Sequence, residues 1–171
     1  MAAMAARRLA SEFSAMTRQP IDGVIARPVS SDSLFAWNFA LAGPPDSAYA
    51  HGVFTGSLIF PLDYPLSPPK MTFVPAITHP NVYAGGARAG EVCISILHTG
   101  RDETGYERES ERWSPVHSVK SILISVLSML SEPNAESPAN VDAAKLLTQD
   151  PASFKLAVRQ EVEQSLGLRG K

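Results

Sequence analysis

The chain has 171 residues, of which 44% are hydrophobic and 19% charged, with a formal net charge of −2; it is too apolar for a disordered segment and suits one domain spanning residues 1–171. Near-neutrality without a concentrated basic face excludes nucleic acid as the main partner, since phosphate binding needs clustered lysine and arginine. A single cysteine cannot form an intramolecular disulfide, so nothing requires an oxidising compartment and a cytosolic setting is expected.

The opening Met-Ala-Ala-Met-Ala-Ala-Arg-Arg-Leu lacks the long apolar stretch of a signal peptide. Leu9, Phe13 and Met16 recur at i, i+4 and i+7, which predicts a helix from about residue 4 to residue 17, ended before Pro20. Arg7, Arg8, Ser11 and Glu12 fall on its other face, either as a solvated surface or as a docking face for a protein.

From Ile21 to Phe73 the period changes to two. Phe35-Trp37-Phe39-Leu41 and Phe54-Gly56-Leu58-Phe60 alternate as half-buried strands do, and the turn residues Gly43-Pro44-Pro45-Asp46 and Asp63-Tyr64-Pro65 punctuate them. Short links between consecutive strands require antiparallel pairing, so a meander of about four strands is expected. Pro61 to Pro69 carries too many prolines for a central strand and reads as a rigid surface loop that exposes Leu66.

His79-Pro80-Asn81 follows, then a Gly-rich connector and Cys93, which opens the run Ile94-Ser95-Ile96-Leu97. Arg101 to Arg112 has no apolar period and sets five acids against three arginines, so it is expected to be a mobile loop. Ser114 reads as an N-cap with Pro115 at the first helical position, and Val116, Val119, Leu123, Val126, Leu127 and Leu130 form the stripe of a core helix. That helix stops at Glu132-Pro133-Asn134. A short helix near Val141 to Leu147 comes next, and Asp150-Pro151 restarts the pattern through Phe154, Leu156, Ala157, Val158, Val162 and Leu166 to Gly167. The most apolar segment, Val119 to Leu130, is shorter than the roughly 20 residues of a membrane span. The fold class is therefore α+β, with helices against one face or the ends of an antiparallel sheet.

Cys93 acts as a nucleophile only as thiolate, whereas an ordinary thiol has a pKa of about 8.5. A protease would pair it with a histidine oriented by Asn or Asp, and His79, His98, Asn81 and Asn140 supply those types, yet the surround of papain-like enzymes is absent. Thioester exchange with an already activated acyl group needs only modest thiol activation. Asn81 can offer its amide N–H to the oxyanion formed when an amine attacks such a thioester, or simply stabilise the turn after Pro80. His79 is expected to bond backbone locally and hold that turn. Lone cysteine and scattered histidines lack metal-ligand spacing, so no metal site is expected.

His79-Pro80-Asn81, Cys93-Ile-Ser-Ile-Leu, Phe60-Pro61-Leu62-Asp63-Tyr64-Pro65 through Pro68-Pro69-Lys70, Arg112-Trp113-Ser114-Pro115 and Glu132-Pro133-Asn134 together resemble a ubiquitin-conjugating enzyme over essentially the whole chain. The loop after the cysteine, with Ser-Pro-Pro-Lys, Cys-Ile-Ser-Ile-Leu-His and Ala-Asn-Val-Asp, is similar to the subgroup serving degradation of proteins extracted from the endoplasmic reticulum. The resemblance implies that fold: an N-terminal helix, a four-stranded meander, an active-site loop, a core helix and C-terminal helices. It implies that Cys93 accepts ubiquitin as a thioester from an activating enzyme and passes it to a lysine with a RING-type ligase. No cofactor is then needed, ATP being used by the activating enzyme.

Asn81 would stabilise the oxyanion or organise the loop that does so, and Ser137, beside Glu136, matches the family's gate near the incoming lysine. Arg7, Arg8, Leu66 and Ser114-Pro115-Val116 match the surface shared by activating enzyme and ligase, and the exposed side of the early strands matches a backside protein-binding surface. Asp102 and Glu103 either attract the acceptor lysine or belong to a merely solvated loop. Recruitment to the endoplasmic reticulum would go through a partner. The other readings are a catalytically silent scaffold of the same fold and a conjugating enzyme for another ubiquitin-like modifier. The Asn81-to-Cys93 separation is several residues longer than the family's, the excess lying in Ala84 to Gly90. Small residues let such an extension loop away cheaply, so Asn81 is expected to stay near the thiol.

Overall fold

The computed structural model describes residues 1–100 and 109–168. Asp102 and Glu103 lie outside the described residues, as does most of the charged loop.

Helix α1 (Ala2–Arg18) buries Ala5, Leu9 and Met16 at helical spacing, and Phe13 packs edge-on against Trp37 with ring centres 5.6 Å apart. One expectation fails on this helix. Glu12 is only 8% exposed, because its carboxylate accepts from Tyr64 Oη at 2.9 Å and from Val119 N–H at 2.7 Å and pairs with Arg8. A buried charge is tolerable only when paired and hydrogen-bonded in this way.

Strands β1 (Val24–Ser30), β2 (Ser33–Ala42), β3 (Val53–Ile59) and β4 (Lys70–Phe73) form an antiparallel sheet in sequence order, which bears out the meander. Trp37, Phe39, Leu41, Phe54, Leu58, Met71 and Phe73 are buried on one face, while Ile25, Arg27, Asn38 and Thr55 are exposed on the other. Phe39 and Phe73 both pair with Gly56 in register and meet over it edge-on at 5.4 Å. A Cβ at Gly56 would come within 2.6 Å of the Phe39 ring, so the row needs glycine.

The core helix α2 (Val119–Ser131) buries Val119, Ile122, Leu123, Val126, Met129 and Leu130 in the same hydrophobic core as the sheet's inner face. It starts later than the sequence suggests. Ser118, not Ser114, is the N-cap: its hydroxyl accepts from Ser121 N–H while the Ser121 hydroxyl accepts from Ser118 N–H. Residues 114–117 form a turn instead, closed by His117 N–H donating to Ser114 O, and Val116 is 86% exposed rather than part of the stripe. Helix α3 (Val141–Gln149) is capped by Asn140, which the sequence offers only as a helper type for the cysteine. Helix α4 (Pro151–Ser165) is capped by Asp150 with Pro151 in its first turn, as expected. In α4 only Phe154, Val158 and Val162 are buried; Leu156 and Leu166 are exposed, since the helix presents a narrow stripe to the core. No helix among the described residues is long and apolar enough to cross a membrane.

Candidate active site

The cysteine segment is built onto the sheet edge. Phe73 N–H donates to Gly90 O at 2.8 Å and Val92 N–H to Met71 O at 2.9 Å, so residues 90–92 run along β4 as a short extra strand. On the far side residues 81–83 pair with the same segment: Cys93 N–H donates to Asn81 O at 2.8 Å, Tyr83 N–H to Glu91 O at 3.0 Å and Gly90 N–H to Tyr83 O at 2.8 Å. Gly90 is required at this seam, because its φ is +79° and a Cβ would sit 2.1 Å from Phe73 O. The insertion is thus shut at its base, and Asn81 stays beside Cys93 as expected.

His79 is fully buried, and its ring is a two-ended clamp. Nδ1 accepts from Asn81 N–H at 2.9 Å, which leaves Nε2–H to donate to Met129 O at 2.9 Å in the last turn of α2. Burial pushes its pKa down to about 4, so the ring is neutral at physiological pH, as the clamp demands. Pro80 is buried and its carbonyl accepts from Asn140 N–H at 2.9 Å, while Asn81 Oδ1 accepts from Asn134 N–H at 3.3 Å. With its oxygen engaged, the Asn81 side chain has its NH₂ end left to donate. These bonds also fasten the 134–140 segment, and with it Ser137, to the His79 turn.

Cys93 is half-buried in a cleft of about 740 Å³ lined by Asn81, His98, Glu136 and Ser137 among others. His98 Nε2 lies 3.3 Å from Sγ. That hydrogen bond is the largest influence on the thiol and lowers its pKa; burial opposes it, and Tyr83, whose Oη is 4.0 Å from Sγ, and Arg88 add to it. Sequence reasoning offered His98 only as one of several helper types. The sequence carries no clear signal for it, because what folds position i+5 back onto the cysteine is the 3₁₀ turn at Ser95–Leu97. The Asn140 side chain caps a helix, accepting from Ala143 N–H, and only its backbone N–H, on Pro80 O, helps to build the site. The charged loop leaves from a closed base: Trp113 N–H donates to His98 O at 3.0 Å, and the Arg112 guanidinium donates to Thr99 O at 3.1 Å and to Gly100 O. Among the described residues no group of His, Cys, Asp and Glu side chains could hold a metal ion.

A second cluster gathers the remaining candidates. Trp113 Nε1–H donates to Pro65 O at 2.9 Å, joining the proline loop to the Ser114 turn, and Arg8 Nη2 donates to His117 O at 2.8 Å, joining α1 to it. Leu66, Pro115, Val116 and Arg7 are exposed around this junction, while Ser114 is half-buried. Arg8 differs from Arg7 in being committed to Glu12 and His117 rather than offered to solvent.

The family profile described as ubiquitin-conjugating enzyme matches residues 8–162. The human ubiquitin-conjugating enzyme E2 G2 is 50% identical over 169 residues, covering 98% of this chain and 100% of that protein. Ubiquitin-conjugating enzyme E2 15 of Schizosaccharomyces pombe is 49% identical over 159 residues, covering 92% and 93%. Among solved structures, human ubiquitin-conjugating enzyme E2 G1 superposes with a TM-score of 0.64 at 42% identity, covering 75% of this chain and 95% of that one. With its one cysteine set on the sheet edge beside Asn81, the chain belongs to the ubiquitin-conjugating enzymes, transferases that carry ubiquitin as a cysteine thioester.

Proposed function

We propose that the chain takes ubiquitin from an activating enzyme onto Cys93 and delivers it to a lysine presented by a RING-type ligase, in the disposal of proteins extracted from the endoplasmic reticulum. The Cys93 thiolate attacks the carbonyl carbon of the incoming ubiquitin thioester; a new C–S bond forms, and the cysteine of the activating enzyme leaves as thiolate. A lysine amine then attacks the same carbonyl, its lost proton passing to water or to the departing Cys93 thiolate. In both steps negative charge collects on the carbonyl oxygen, and the Asn81 amide is the donor for it. Ser137 lines the path of the amine, and Asp102 and Glu103 draw the lysine in by charge. No bound cofactor is called for, since the activating enzyme spends the ATP.

The observation that carries this reading is the seam holding Asn81 and Cys93 together across the insertion, with Cys93 N–H on Asn81 O at 2.8 Å. Leu66, Pro115, Val116 and Arg7 supply the docking surface for activating enzyme and ligase, and the exposed face of β1 to β3 takes a backside partner. Subgroup membership rests on the loop after Cys93 and on the full-length likeness to E2 G2 proteins; it implies a cytosolic enzyme that a partner brings to the membrane. Incubation with activating enzyme, ATP and ubiquitin tests the reading. A single adduct should form that reducing agent removes, and Cys93→Ser should turn it into an ester that resists reducing agent. No adduct would overturn the proposal, and charging by another modifier alone would change the cargo. RING-stimulated discharge, compared with discharge by the loaded enzyme alone, tests the ligase part.

A further inference from the structure

We propose that Arg88, inside the insertion between Asn81 and Cys93, is a positioning residue that holds the Tyr83 hydroxyl as a donor to the Cys93 sulfur. The insertion had other courses open to it. A Cβ at Gly85 or Gly86 would have nothing within 4 Å, so the tip is unconstrained by packing. The chain nevertheless returns over Tyr83. The guanidinium carbon of Arg88 lies 3.8 Å from the Tyr83 ring centre, and Nη1 donates to Tyr83 Oη at 2.7 Å. The other edge of the guanidinium is fixed by Glu91, which accepts from Nε at 2.9 Å and from Nη2. Glu91 in turn pairs through its second oxygen with Lys70 Nζ on β4 at 2.8 Å.

Lys70 and Arg88 side chains are about half exposed, at 53% and 52%. Ion pairs so open to water contribute little to stability. What the chain of contacts does achieve is geometric. A phenol has one proton to give, and with Arg88 occupying the acceptor side of Oη, that proton is available to Cys93 Sγ, 4.0 Å away. The length is at the long end for a hydrogen bond to sulfur, and it concerns the atom on which the thiolate charge forms. Tyr83 is held above its ordinary pKa, by burial first and then by Cys93, so it remains protonated and able to donate. Its bond to the thiol acts in the same direction as the stronger one from His98. The other charged or titratable groups lining the cleft, among the described residues, are Glu111, Arg112, His117, Glu132 and Glu136; they come from the 109–117 stretch and from the chain that follows α2.

The inference deepens the reading of Cys93 as acyl carrier and rests on it, so its test reads the thiol directly. Rates of Cys93 alkylation by iodoacetamide are measured against pH for the wild type, Tyr83→Phe, Arg88→Lys and the double variant, with Tm as a check on folding. Tyr83→Phe should move the profile to higher pH and slow alkylation at neutral pH by about 2- to 10-fold, the range of one ordinary hydrogen bond. Arg88→Lys keeps the charge and loses the planar fork, so it should shift the profile the same way. The double variant should go no further than Tyr83→Phe, because Arg88 acts through Tyr83. A Tyr83→Phe profile that superimposes on the wild type, an unshifted Arg88→Lys, or additive shifts in the double variant would each overturn the inference. Failure to load ubiquitin would sink the acyl-carrier reading and leave these profiles standing.

Discussion

Replacing Asn81 separates chemistry from architecture. Asn81→Ala removes both ends of the amide, whereas Asn81→Asp keeps an oxygen for Asn134 N–H and loses only the donor. The structural loss is small: the Asn81–Asn134 bond is 3.3 Å long and its donor residue is exposed, so it is worth no more than about 1 kcal/mol. In a chain of this length that lowers Tm by about 2–4 °C. The chemical loss is larger, since one oxyanion donor typically contributes about 10²–10³ in rate. Asn81→Asp should therefore discharge preloaded ubiquitin to free lysine at least ~100-fold more slowly than wild type, its carboxylate repelling the forming oxyanion as well and, at a position only 8% exposed, lowering Tm further. Asn81→Ala, which buries no charge, should be slow with Tm down by only those few degrees. The assay is single-turnover discharge after loading is quenched, followed on non-reducing gels. Wild-type discharge by Asn81→Asp would refute the reasoning. So would a loss in Asn81→Ala that Asn81→Asp fully restores, because the amide would then serve the Asn134 loop alone.

Glu12→Ala strands Tyr64 Oη, Val119 N–H and Arg8 and should cost about 3 kcal/mol or more, a Tm fall of about 6–12 °C by calorimetry. Tyr64→Phe, which removes one of those bonds, should cost only about 1 kcal/mol; equal losses would contradict the buried network. His79 should make the protein acid-sensitive. Its pKa falls from 6.5 to about 4 on folding, so the unfolded chain binds its proton first. The native state is unaffected above pH 6.5 and loses about 3 kcal/mol of stability by pH 4. His79→Gln should flatten that part of the stability–pH curve in urea titrations; an unchanged slope would argue for another group. His98→Asn removes the main influence lowering the Cys93 pKa, so its alkylation profile should move to higher pH, and a profile that stays in place would deny His98 that role.

Local patterns made the fold legible, and partners distant in sequence hid the exceptions. The strands were readable because Trp37, Phe39 and Leu41 alternate with outward residues, and the α4 cap because Asp150-Pro151 is a strong start signal. The start of α2 was misread because Ser114-Pro115 has the look of a cap, while the true box pairs two serines, Ser118 and Ser121, with no acidic residue to advertise it. Glu12 defeated face-counting because its partners come from positions 64 and 119. At the site, His79, Asn81 and Cys93 followed from a contiguous motif, whereas the approach of His98 depends on a 3₁₀ turn and that of Arg88 on the path of a Gly-rich loop. No residue pattern announces either.

The seam between Tyr83 and Glu91 has one more consequence. Because Tyr83 and Gly90 are already bonded to each other and Gly90 is wedged against Phe73 O, the loop between them is a stem-closed appendix whose length is uncoupled from the register of the catalytic strand. Foreign sequence spliced between Gly85 and Gly86 would leave the stem intact, and Arg88 with it. Doubling the loop would add only about 0.6 kcal/mol of closure entropy. The insertion is thus a natural port, a place where a tag, an epitope or a second binding module can be carried beside a thioester without displacing it.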